Sequence, residues 1–365
     1  MVGSLFILAF FCTLAYLSRG GKRVWQVLSV AALSFFVIVN RGNQDYEAYA
    51  LAFNDASIFD AGEIGYNTLV SILKFFGASD YTSVLLVLGV FLFITIWRWR
   101  VFVDNLSVVC ALFFAFPFVY FIIQIRSSFM LLFLLNALFE LARNRRIRAA
   151  IFCILAASFH ILGIFLSLYF FAVYFFVRYR KSNDGSLLIF DESFLTKYLI
   201  LVSCAVLFAF FALPIITTVA NLLTPFIPKM SRVFYYLQPE LDFNSLLAWG
   251  AINVVDVIVL YSLFFKRYDL SITNDWCVIY LFHLLIFACL FFFLLGMIDE
   301  VNRIFRVLFL VKYFLLGCLI RRVDERTSAS LFLYFLVVSI AYLAVVSIRG
   351  VDMFAILCTN VFSLP

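Results

Sequence analysis

The chain has 365 residues, of which 66% are hydrophobic, 20% aromatic and only 13% charged, against about a quarter charged in soluble domains. That balance excludes a soluble globular protein and puts the chain in lipid. The net charge of +6 does not point to nucleic acid, because the Lys and Arg residues fall in short clusters between apolar runs, where they act as topology signals. At roughly 20 apolar residues per crossing, the sequence predicts an all-α polytopic membrane protein of about 11–12 transmembrane helices plus an interfacial or re-entrant helix. All of it belongs to a single transmembrane domain, residues 1–365.

The first apolar run, Ser4 to Leu17, is followed rather than preceded by basic residues, Arg19, Lys22 and Arg23. A signal peptide shows the reverse, so this run is expected to stay as the first helix, with its N-terminus outside. Further basic clusters stand at Arg98 and Arg100, at Arg143 to Arg148, at Arg178 to Lys181, at Lys266 and Arg267, and at Arg321 to Arg326. With all of them cytoplasmic, the runs between them alternate without contradiction. Trp25 to Asn40 goes out, Val84 to Trp97 comes in, Leu106 to Ile123 goes out and Ser128 to Ala142 comes in. Ala149 to Val177 is too long for one comfortable helix and is expected to break near His160, toward the outer side. Leu199 to Ala220, Leu246 to Phe265, Trp276 to Met297, Ile304 to Ile320 and Leu331 to Ser347 complete the crossings.

Two outer, periplasmic segments exceed a turn, about 41–81 and 221–245. The first becomes amphipathic over Ile64 to Phe76, too short to cross and suited to an interface. The second carries Pro225, Pro228 and Pro239 among aromatics, which disfavours regular helix. The eight cysteines show no CxxC pair and read as small apolar packing residues. There is no DxD pair, HExxH, His/Cys cluster, P-loop or Gly-rich fingerprint, so metal-free chemistry without a cofactor is expected.

The polar residues that topology does not require gather on the outer side: Arg41, Asp45, Tyr46, Tyr49, Glu63, Tyr66, Gln124, Arg126, His160, Arg232, Tyr235, Tyr236, Asp242, Asp299, Glu300, Arg303 and Arg306. Arg126 heads an inward-going helix, where the macrodipole disfavours a cation unless an anion is present. Arg303 and Arg306, three apart on one face, repeat that arrangement. Arginine's planar fork suits phosphate oxygens, so these three are candidates for holding a pyrophosphate. The other reading pairs Arg303 with Asp299, pairs Arg126 with Glu63 or Asp45, or lets the arginines snorkel to headgroups. The acids and His160 are candidate general bases for an acceptor hydroxyl.

The pattern NRGNQDYEAYALAF, EIGYNTLVSILKFFG, IQIRSSFMLLFLLNA, ARNRRIRAA, ILAASFHILGIF and, later, NRIFRVLFLVKY resembles the EpsG/Wzy-type polysaccharide polymerases. The resemblance covers roughly residues 40 to 165 and 299 to 320. It implies a metal-independent lipid-dependent glycosyltransferase of GT-C-like multi-helix architecture in the bacterial inner membrane, its active site toward the periplasm. Such an O-antigen or capsule polymerase moves a growing glycan from undecaprenyl diphosphate onto the nonreducing end of a new lipid-linked repeat unit.

On that resemblance Arg126, Arg303 and Arg306 hold the donor diphosphate, and Asp45, Glu63 or His160 removes the acceptor proton. Tyr46, Tyr49, Arg232, Tyr235 and Tyr236 bind sugar, or the tyrosines form an interfacial aromatic belt. The partners are undecaprenyl-diphosphate-linked oligosaccharide as donor and as acceptor, membrane lipid and, as a further candidate, a chain-length regulator; nucleic acid is not among them. The rival readings are an O-antigen ligase, which would use the same arginines, and a lipid-linked glycan flippase or transporter. A transporter should carry ionisable residues at mid-membrane depth, where Asp256, His283 and Lys312 stand.

Overall fold

The computed structural model describes residues 2–19, 22–41, 45–54, 64–184, 193–223, 250–262, 275–291, 302–320 and 322–348. In chain order the α-helices are α1 (Val2–Leu17), α2 (Arg23–Ile38), α3 (Tyr46–Asn54), α4 (Ile64–Phe75), α5 (Thr82–Arg98), α6 (Leu106–Ala115), α7 (Phe118–Ile123) and α8 (Ile125–Ala142). They continue with α9 (Arg146–Phe159), α10 (Leu162–Asp184), α11 (Phe194–Leu223), α12 (Ile252–Leu260), α13 (Trp276–Phe287), α14 (Asn302–Leu319) and α15 (Glu325–Ile348). Among the described residues there is no strand. Helices satisfy every backbone N–H and C=O within the segment, which is what a lipid environment demands. Three described stretches, Thr82–Val101, Ile125–Ala142 and Leu162–Tyr179, are long and apolar enough to cross a membrane. The chain is an all-α polytopic membrane protein.

One predicted crossing is divided. Pro117 has no N–H to continue a helix and disfavours helical backbone at the residue before it. Phe116 is accordingly extended, with φ −172° and ψ 136°, so α6 stops at Ala115 and α7 restarts at Phe118. The break expected near His160 falls there, with α9 ending at Phe159 and α10 opening at Leu162. The amphipathic run is α4, which buries Tyr66 and Val70 and exposes Ile64, Ile72 and Phe75. The predicted outer segment 221–245 lies almost wholly outside the described residues.

The chain divides into two compact units, one formed by Met1–Phe171 with Tyr313–Pro365 and the other by Ala172–Lys312. In the first, α8 pairs with α9, α2 with α5, and α6 lies against α1, α2 and α15. Every residue of α6 is buried. Asn105 caps it: its carboxamide oxygen accepts from the N–H groups of Ser107 (3.1 Å) and Val108 (3.3 Å) and from the Ser18 hydroxyl at the end of α1 (2.7 Å). The α8–α9 turn closes on Asn144, whose φ of 58° is left-handed, with Arg145 N–H donating to Glu140 O at 2.8 Å.

Arg98, predicted as a topology signal, also works inside the bundle: it donates to Asn136 and to the buried carboxylate of Glu140. Asn136 in turn donates to Thr95 Oγ1 at 2.8 Å, which ties α5 to α8.

The α2–α5 crossing is close because Gly89 has no side chain. A Cβ there would lie 2.9 Å from the Ser34 carbonyl oxygen, which is backbone and cannot turn away. Gly89→Val is therefore expected to cost about 1–3 kcal/mol through overpacking, read as a lowered midpoint of thermal unfolding in detergent. A midpoint equal to that of the wild type would show the crossing to be looser than described.

In the second unit the packing is aromatic: Phe194 stacks on Tyr261 at 4.3 Å, and Tyr174 meets Trp276 edge to face at 5.6 Å. Two of the three deep ionisable residues form a buried ion pair, Asp256 of α12 with Lys312 of α14. Lys312 also sits 3.7 Å from the centre of the Phe309 ring. His283 is buried in α13, its Nδ1 2.8 Å from the Ile279 carbonyl oxygen one turn back.

Candidate functional site

Four predicted site residues of the first unit, Asp45, Tyr46, Tyr49 and Arg126, come together near the start of α8. Asn40, buried one residue before Arg41, donates from its side chain to the Ile122 carbonyl oxygen at 2.7 Å. That bond holds the short turn between α7 and α8, in which Gln124 precedes the first residue of α8. Ser128 reinforces the turn, donating to the Phe121 carbonyl oxygen. Arg126 is thereby fixed in the first turn of α8, half-buried, on the side of the peptide dipoles that favours anions.

Helix α3 supplies the partner of Arg126. Arg126 Nε–H donates to the Tyr49 hydroxyl at 3.2 Å, with the guanidinium 5.8 Å from the ring centre. Tyr46 and Tyr49 are three residues apart and so share a face of α3. Tyr49 stacks on Tyr81 at 5.8 Å with the rings 5° from parallel, and Tyr46 meets Tyr81 edge to face at 5.2 Å. Tyr66 of α4 closes the group, 5.7 Å from Tyr49. Tyr49, Tyr66 and Tyr81 are buried.

Burial holds the Tyr49 and Tyr81 phenols protonated. Desolvation pushes the Tyr49 hydroxyl above its ordinary value, and the facing Arg126 offsets only part of that rise. Desolvation raises Tyr81 further, with the neighbouring Tyr66, Tyr49, Tyr46 and Asp45 adding to it. Asp45, just before α3, therefore lies within electrostatic reach of both phenols and shares Tyr49 with Arg126. The result is a cation and two neutral, buried phenols beside Asp45, a set that can hold an anion and accept a proton.

His160 lies at the same end of the unit. Phe159, the residue before it, stacks on Phe129 of α8 at 5.1 Å. Gly65 of α4 abuts Phe159 so closely that a Cβ would come within 2.7 Å of its ring. His160 ends α9, and its Nδ1 accepts from the Leu162 N–H at 3.2 Å, which starts α10. That bond gives the His160 ring a structural task at the start of α10. Asparagine offers an equivalent oxygen to the Leu162 N–H, so His160→Asn is expected to keep the wild-type melting temperature. His160→Ala is expected to lose about 1 kcal/mol with the cap. Equal melting of the two variants would remove the capping role.

Arg303 and Arg306 belong to the second unit, in the first two turns of α14, Arg303 half-buried and Arg306 buried. Glu63, Arg232, Tyr235 and Tyr236 lie outside the described residues. Two members of the tyrosine group were not among the predicted site residues. Tyr66 reads from the sequence as one outer polar residue among many, and Tyr81 as the last residue of the outer segment 41–81. The signal that marks them is the run of four tyrosines at 46, 49, 66 and 81 within one outer segment. Among the described residues no three His, Cys, Asp or Glu side chains come together as a cation site.

The model of the EpsG family matches residues 24–359, nearly the whole chain. No curated protein and no solved structure matches.

Proposed function

Because the chain belongs to the EpsG family, whose membership supports a polysaccharide-polymerase-like function in general, we propose that it is a periplasm-facing polymerase of lipid-linked glycans in the bacterial inner membrane. It transfers a growing undecaprenyl-diphosphate-linked chain onto the nonreducing end of a new lipid-linked repeat unit, as in O-antigen or capsule synthesis, without a metal ion. The observation that carries this reading is Arg126, in the first turn of α8 with its Nε–H bound by Tyr49. A cation is disfavoured at a helix N-terminus, and a bound diphosphate reverses the sign of that interaction.

In the proposed reaction the acceptor hydroxyl gives its proton to a carboxylate and its oxygen bonds to the anomeric carbon of the donor. The bond from that carbon to the diphosphate oxygen breaks, and the electron pair leaves with the undecaprenyl diphosphate. Arg126 stabilises the charge that develops there. Arg303 and Arg306 are proposed to serve the diphosphates as well. Asp45 is proposed as the base, because its charge and that of Arg126 both act on the Tyr49 hydroxyl, and Glu63 is the second candidate. His160 is given to capping α10. Tyr46, half-exposed on α3, and Arg232, Tyr235 and Tyr236 are kept for sugar contacts; Tyr49 is packed between Tyr81 and Arg126 and contributes its hydroxyl.

Pairing of Asp256 with Lys312 favours an enzyme over a transporter, because the two deep charges neutralise each other. The readings separate in proteoliposomes charged with radiolabelled lipid-linked repeat units. A ladder of chains on the lipid is the expected result. Transfer of label across the bilayer with no chain growth would instead identify a flippase, and a single transfer to a lipid A core acceptor a ligase.

A further inference from the structure

The Tyr81 hydroxyl is buried, with Tyr81 only 2% exposed, and among the described residues it has no hydrogen-bond partner. A buried phenol normally finds one, because an unsatisfied O–H forfeits its bonds to water. Tyr81 is not a stray core residue. Its ring is clamped by Tyr49 and Tyr46, and the hydroxyls of Tyr46, Tyr49 and Tyr66 and the Asp45 carboxyl all lie within electrostatic reach of its own. Tyr49 is the residue that Arg126 binds. The sequence places Tyr81 at the N-cap of α5, a position where a small side chain that caps the helix is preferred, yet its side chain makes no capping bond. Asp80, one residue earlier, performs that service for Thr82. The aromatic ring at 81 is therefore held for the cluster and not for the helix.

Building on the diphosphate reading of Arg126, we propose that the Tyr81 hydroxyl is a ligand-binding donor which, on substrate entry, gives its hydrogen bond to a non-bridging phosphate oxygen of the polyprenyl diphosphate. A phosphate oxygen fits better than a sugar hydroxyl for two reasons. The phenol stays protonated in this environment and so always donates. An ionised acceptor makes the stronger bond, and only an anion is also drawn to Arg126. The bond that residue 81 leaves unmade among the described residues is completed in the complex, so that part of the affinity comes from satisfying a donor already desolvated.

The substitution Tyr81→Phe keeps the ring between Tyr46 and Tyr49 and removes only the hydroxyl, so stability and binding should move in opposite directions. The experiment uses purified full-length protein in detergent, with farnesyl diphosphate as the probe and farnesol as its uncharged control, read by calorimetric titration and by thermal unfolding. Tyr81→Phe is expected to unfold at or above the wild-type temperature without ligand, and to bind farnesyl diphosphate about ten- to a hundredfold more weakly, as loss of a bond to a charged group requires. Farnesol binding should not change. Unchanged affinity in Tyr81→Phe while Arg126→Ala weakens binding would overturn the role of Tyr81 and leave the diphosphate reading standing. Unchanged affinity in both variants, or no saturable binding by the wild type, would overturn the diphosphate reading and the Tyr81 role with it. A lowered unfolding temperature with unchanged affinity would make the hydroxyl structural and would likewise overturn the proposal.

Discussion

Asp256→Ala is expected to destabilise the protein by about 3–5 kcal/mol, the cost of leaving Lys312 buried without its carboxylate partner. Both side chains are 4% exposed, and the pair joins α12 to α14 within the second unit. Neither charge has water to fall back on. Lys312→Ala should cost a similar amount, because the carboxylate is then the unpaired charge. Replacing both, with Asp256→Leu and Lys312→Met, removes the desolvation penalty along with the attraction, and should return stability to near the wild-type value. The measurement is a double-mutant cycle on unfolding midpoints in detergent, where a large coupling energy is expected. Two singles that each lose less than about 1 kcal/mol, typical of a solvated pair, would show the pair to be solvated. Because α14 begins with Arg303 and Arg306, the single variants should also lose activity, through misplacement of that helix.

Arg126→Ala has the opposite profile. Removing a cation from the first turn of α8 relieves an unfavourable interaction with the helix dipole of about 0.3–1 kcal/mol, so the variant should fold as well as the wild type. Its rate of chain extension should nevertheless fall by about two to three orders of magnitude, the usual loss when a donor to a developing oxyanion is deleted. Arg126→Lys keeps the charge but loses the planar fork and the Nε–H bond to Tyr49. An intermediate rate is expected, with a larger effect on donor affinity than on turnover. Steady-state consumption of a lipid-linked repeat unit checks all three proteins. Wild-type turnover in a well-folded Arg126→Ala would remove Arg126 from the mechanism.

The helices were legible because apolar runs of near-constant length between basic clusters leave few alternatives, and α2, α4, α8 and the break at His160 fall close to where the runs put them. The division of α6 from α7 was also written in the sequence, in Pro117, but a continuous apolar run masks a proline when hydropathy alone is followed. Pairings between helices were not legible. Arg98 reads as a topology signal, and its contacts with Asn136 and Glu140 bring together residues about forty positions apart that no local pattern connects. Asp256 and Lys312 stood out as deep charges, yet only the packing of α12 on α14 makes them partners.

The candidate site divides along the same line. Arg126 was marked by the clash between its charge and the helix dipole, and Tyr46 and Tyr49 by their place among the outer polar residues and by the family resemblance, whereas the helix that puts them on one face came only with the structure. Tyr81 was hidden, because a tyrosine next to a span looks like any member of an aromatic belt until its neighbours are known. His160 was marked as an outer polar residue at the break between two helices, and the bond from the Leu162 N–H to its ring is a local one that residue type alone does not announce.

In the proposed mechanism chain growth expels the lipid diphosphate at Arg126. Its most direct test counts the undecaprenyl diphosphate released for each glycosidic bond formed by purified protein supplied with synthetic lipid-linked repeat units and EDTA. Release and linkage are expected in equal numbers, undiminished by the chelator and lost together in Arg126→Ala. Chain growth without release of undecaprenyl diphosphate, or growth that stops when metal is removed, would contradict it.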